Sequence, residues 1–69
     1  MTDFKISLKA ARVNKNMTQR ELGEEIGRDA TTILNWENGK SRIPLEDFKK
    51  ICHVLKVPED FVYLPAKSS

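Results

Sequence analysis

The stretch from Thr18 to Gly39 constrains this chain more than any other. Thr18-Gln19-Arg20-Glu21 is a capping box. The Thr hydroxyl accepts from the backbone N–H three residues on, and the Glu carboxylate reaches back to the N–H of Thr18. Met17 and Leu22 stand where the accompanying hydrophobic staple needs them. Leu22 and Ile26, spaced i, i+4, face inward, and Gly27 ends the helix because a residue without Cβ takes positive φ at no steric cost. Asp29 is the N-cap candidate of a third helix, in which Ile33 and Trp36 form the buried stripe and Asn38-Gly39 the end. The outer face of that helix carries Ala30, Thr31, Leu34 and Asn35, with no Lys, Arg or Glu among them.

The flanks read as further short helices. Ser7 caps a first helix to Lys15, with Leu8 and Ala11 on one face, and Asn16 stops it by adopting a left-handed conformation. Phe4 and Ile6 alternate with Asp3, Lys5 and Ser7. That spacing allows a short extended arm or a longer first helix. Pro44, at N1, opens a fourth helix whose first turn holds Glu46 and Asp47, matched to the helix dipole. Leu45, Phe48, Ile51, Cys52 and Leu55 make its apolar stripe, and Val57-Pro58 breaks it. A last short helix is expected over Pro58–Leu64, with Tyr63 and Leu64 beside the Phe4–Ile6 arm.

Sixty-nine residues make one domain, 1–69, with flexible ends expected at about 1–3 and 66–69. One Cys excludes an internal disulfide framework and a Cys-based zinc site, and one His leaves little to build a triad or metal site from. No apolar run approaches the roughly 20 residues that span a bilayer. The N-terminus has no basic-then-apolar signal pattern. The expectation is a soluble cytoplasmic protein with no membrane partner, cofactor, metal or enzymatic activity. The net charge of +2 is too small to identify a polyanionic partner by itself.

Two short helices joined by a tight Gly-containing turn make a helix-turn-helix, here at about 18–38. Gly23 is small where the helices approach most closely, and Leu22, Ile26, Ile33 and Trp36 fill the angle between them. Such a geometry props the second helix outward, so that its outer face enters a major groove about 12 Å wide.

Leu8-Lys9-Ala10-Ala11-Arg12, Met17-Thr18-Gln19-Arg20-Glu21-Leu22, Gly27, Ile33 and Trp36-Glu37-Asn38-Gly39-Lys40 resemble the Cro/cI-type (XRE) helix-turn-helix family of phage repressors and bacterial transcriptional regulators. The resemblance covers roughly Leu8 to Leu64. It implies an all-α, compact five-helix, lambda-repressor-like domain that reads double-stranded operator DNA. It implies base reading by Ala30, Thr31 and Asn35, and phosphate binding by Thr18, Gln19, Asn38, Lys40 and Arg42. It matches Arg12 and Glu37 to an ion pair tying the first helix to the end of the recognition helix. It also implies a homodimer on two half-sites about 34–36 Å apart, joined around Pro58–Leu64. Gly23 departs from the family's usual Ala, Lys56 stands where Gly or Asn is common, and Pro44 lies one position later than the frequent Pro.

Several residues carry two readings. Arg12 serves either a structural pair with Glu37 or a phosphate. Trp36 and Cys52 read as core, against base stacking and redox chemistry. Asp29 caps a helix or accepts from cytosine N4. Leu34 touches a thymine methyl or sugar, or is a lone surface Leu. The function implied is sequence-specific DNA binding by a phage- or prophage-type regulator. The alternative is the same fold used as a protein-interaction module, an antitoxin or adaptor.

Overall fold

The computed structural model describes residues 5–65. Phe4 and the expected flexible ends, 1–3 and 66–69, lie outside the described residues. The order is β1 (Ile6–Ser7), α1 (Leu8–Asn14), α2 (Gln19–Ile26), α3 (Ala30–Glu37), α4 (Leu45–Leu55), a single 3₁₀ turn (Glu59–Phe61) and β2 (Val62–Tyr63). None of the helices among the described residues is long and apolar enough to cross a membrane.

Local chemistry places the helix starts. The Ser7 side chain accepts from the Ala10 N–H at 3.0 Å, starting α1. Thr18 and Glu21 make both halves of the capping box, at 3.0 and 2.8 Å. Asp29 accepts from the Thr32 N–H at 2.8 Å, starting α3. Helix α4 differs in detail: Pro44 is its N-cap rather than N1, in extended backbone and without a side-chain cap. Asn16 takes φ 56° just beyond α1. Lys56 takes φ 58° at the end of α4, a left-handed position held by a residue that bears a Cβ.

The core gathers Leu8, Ala11, Leu22, Ile26, Ile33, Trp36, Phe48, Ile51, Cys52, Leu55 and Val62. Burying these side chains is the main force holding so short a chain together. Leu45, expected on the α4 stripe, instead points to solvent at 64% exposure. Asp47 is buried in its place at 3%. The exchange is possible because Arg28, from the turn after α2, donates to both Asp47 carboxylate oxygens, at 2.9 and 3.4 Å.

The chain's last element differs from the five-helix expectation. Four α-helices form among the described residues, and the fifth is reduced to the 3₁₀ turn. Beyond that turn the backbone becomes extended, and β2 pairs in parallel with β1, Ile6 opposite Val62 and Ser7 opposite Tyr63. The extended-arm alternative therefore holds for Ile6–Ser7. Val62 is buried at 6% while Tyr63 is exposed, the alternation of a one-sided strand. Beta-branched Val62 and aromatic Tyr63 suit that pleated surface better than a two-turn helix.

Candidate nucleic-acid interface

The joint between α2 and α3 sets the direction of α3. Gly27, at φ 79°, reverses the chain, and the Arg28 N–H donates to the Gly23 carbonyl at 2.8 Å. The returning backbone crosses directly over Gly23. A Cβ built there would lie 2.5 Å from the Arg28 carbonyl oxygen. Gly at this position, unusual by the resemblance, is what lets the turn close so tightly. Below it, Leu22 and Ile33 are wholly buried and Trp36 is 5% exposed, so α3 is wedged outward on a packed base. Trp36 is therefore a core side chain and is not available to stack on a base.

Of the expected base readers, Thr31 is exposed, and Ala30 and Asn35 are half-buried. All three belong to α3, with Asn35 one turn beyond Thr31. Leu34, on the same helix, is 41% exposed. The expected phosphate binders lie in two groups. Thr18 and Gln19 mark the start of α2. Asn38, Lys40 and Arg42 follow α3, all exposed. Their loop is held against the helix end: the Asn38 N–H donates to the Leu34 carbonyl at 3.0 Å and the Lys40 N–H to the Asn35 carbonyl at 2.9 Å.

A buried charge network links these groups. Arg12 donates to Glu37 through Nε at 2.7 Å and Nη2 at 3.3 Å, and to the Met17 carbonyl through Nη1 at 2.7 Å. Their side chains are 9% and 2% exposed. Gln19 Nε2 donates to Glu37 Oε1 at 3.0 Å. An ionised carboxylate only accepts, so the Gln19 amide must turn its NH₂ inward, which leaves its second N–H and its carbonyl oxygen for other partners. Arg12 is so enclosed that three of its N–H groups are spent on Glu37 and Met17.

Two further cations escape sequence reasoning. Arg20 and Arg28 line a shallow depression with Glu24, Asp29, Ala30 and Thr31, beside the start of α3. Arg20 makes only an exposed, 3.5 Å contact with Glu24, worth about 0–1 kcal/mol. Arg28 holds Asp47 with its side chain still 47% exposed. The Arg20–Glu24 pair follows from i,i+4 spacing, whereas nothing in the local pattern signals the Arg28 role, since Asp47 is a helix away.

Among the described residues, two titrating groups are perturbed. The Thr32 hydroxyl, and then its backbone N–H, hold the Asp29 carboxyl below its ordinary pKa. This carboxylate caps α3. Burial, with a smaller push from Glu59, raises the Cys52 thiol. A buried thiol kept protonated is a core side chain rather than a nucleophile.

A family model for the helix-turn-helix matches residues 8–62. Among curated proteins, an HTH-type transcriptional activator, BcrR of Enterococcus faecalis, is 34% identical over 58 residues. The match takes in 84% of this chain and 28% of the relative, so the chain is similar to only a fraction of that protein's length.

Proposed function

This chain belongs to the Cro/C1-type helix-turn-helix family, and we propose that it binds operator DNA sequence-specifically as a transcriptional regulator of phage or prophage type. The observation that carries this reading is the outer face of α3. It is free of charged side chains, it is open at Thr31, and the loop after its C-terminal end carries the exposed cations Lys40 and Arg42. A neutral reading face with charge at its margins matches the division of labour on DNA, where phosphates supply affinity and base edges supply discrimination.

In this reading α3 lies in the major groove. Asn35 pairs bidentately with adenine, and Ala30 and Thr31 contact base edges or a thymine methyl. Thr18 and Gln19 meet one phosphate strand at the start of α2, where free N–H groups and the helix dipole favour an anion. Asn38, Lys40 and Arg42 meet the other side of the groove. The Arg12–Glu37 pair is structural: it holds α1, Gln19 and the end of α3 in register. Two copies on a two-fold site double the contact. The exposed Phe61, Tyr63 and Leu64 around the 3₁₀ turn offer apolar area for that pairing. A regulator of this kind works in the cytoplasm, on the nucleoid.

The test is selection of bound sites from a random duplex pool, followed by titration at two salt concentrations. Thr31→Ala and Asn35→Ala should weaken binding to the selected site alone, and Gln19→Ala to all DNA. A folded protein that binds no duplex overturns the reading and favours the protein-interaction alternative.

A further inference from the structure

Leu34 is the residue of α3 whose exposure its own helix does not explain. Ile33 and Trp36 bury the apolar content of α3, at 0% and 5% exposure, whereas Leu34 stands open at 41%. It lies four residues beyond Ala30 and immediately before Asn35, so the two form an apolar row beside the Thr31–Asn35 polar row. No charged side chain of α3 interrupts either row. The loop that follows is anchored on the Leu34 and Asn35 carbonyls, which ties it to this end of the helix.

We propose that Leu34 is a specificity residue that packs against the C5-methyl group of a thymine in the major groove. The inference rests on the DNA-binding reading above and adds its ligand chemistry. The major groove carries one apolar group among the base edges, the thymine methyl. A branched aliphatic side chain donates and accepts no hydrogen bond, so that methyl is the base feature it is able to recognise. Asn35 supplies the reason to expect a thymine within reach. Its amide matches adenine, and every adenine brings a thymine on the opposite strand. Polar recognition of adenine by Asn35 and apolar recognition of a methyl by Leu34 then fall on the same or a neighbouring base pair.

The experiment takes the duplex selected by the wild-type protein and replaces its thymines one at a time with deoxyuridine. That change removes the methyl and leaves the base-pairing edge intact. Removing one buried methyl contact should lower wild-type affinity about three- to tenfold at one thymine of each half-site. Leu34→Ala should bind the unmodified site more weakly by a similar factor and should be indifferent to deoxyuridine at that thymine. Its affinity for non-specific DNA and its unfolding midpoint should match the wild type, because the side chain lies outside the core. If deoxyuridine costs nothing at any thymine, or costs wild type and Leu34→Ala alike, the assignment of Leu34 is overturned while DNA binding stands. If selection returns no site at all, DNA binding fails and the methyl contact fails with it.

Discussion

Glu37 holds Gln19. Its Oε1 accepts from Gln19 Nε2 at 3.0 Å while its two oxygens also take the fork of Arg12. One carboxylate at the end of α3 therefore orients the first side chain of α2 and anchors α1. In the proposed complex a nearby phosphate would meet a neutralised carboxylate, because Arg12 offsets its charge. Without Arg12 the same carboxylate would stand unpaired beneath the DNA backbone.

Glu37→Ala should destabilise the fold by about 3–5 kcal/mol, the range for stripping one partner from a buried pair. Arg12 would be left enclosed without a counter-charge. Gln19→Ala removes one hydrogen bond to a carboxylate that Arg12 still neutralises, and should cost less, about 1.5–3 kcal/mol. Urea unfolding of the two variants measures the contrast. Equal midpoints for both would show that leaving Arg12 without its counter-charge costs nothing beyond the lost Gln19 hydrogen bond.

Gly23→Ala should destabilise the protein despite the better helix propensity of Ala. The new Cβ meets the Arg28 carbonyl at 2.5 Å, against backbone that has no flexible end to swing away. A loss of about 1–3 kcal/mol is expected, as for other overpacked sites. Glu25→Ala, on the exposed face of the same helix, provides the reference. The thermal midpoint of Gly23→Ala should fall below that of Glu25→Ala.

Lys56→Gly should stabilise the protein by about 0.5–1 kcal/mol. Lys56 occupies the left-handed region at φ 58°, where a Cβ costs energy and glycine does not. Part of the gain is offset by the greater freedom of glycine in the unfolded chain. Differential scanning calorimetry should show a rise of a few degrees. No rise, or a fall, would mean that the Lys side chain makes a compensating contact.

Asp29 should contribute an acid-side dependence to stability. Its carboxyl titrates below its ordinary value in the folded protein because Thr32 binds the ionised form. The folded state therefore holds that proton less tightly than the unfolded chain does. Its contribution is complete above the ordinary carboxylate pKa and disappears as pH falls through the lowered one. Asp29→Asn keeps an N-cap acceptor and removes the titration. The difference in unfolding midpoint between wild type and this variant should shrink or reverse toward low pH. A constant difference from neutral pH to about pH 2 would contradict it.

What the sequence alone determines here is what one or two helical turns decide. Ser7, Thr18 and Asp29 each reach an N–H three residues away, and Asn16 and Gly27 take their left-handed turns without help from the rest of the chain. The buried stripe of Ile33 and Trp36 follows from helical spacing in the same way, and so does the neutral outer face of α3. Tertiary structure decided the rest. Val62–Tyr63 became a strand only because Ser7 and Ile6, at the far end of the chain, were brought alongside. Leu45 turned outward and Asp47 inward because Arg28 arrived from another element. Gln19 was oriented by a carboxylate on α3. Each of these outcomes needs two distant segments to meet, and that meeting is set by the packed core around Leu22, Ile33 and Ile51 rather than by any local run of residues.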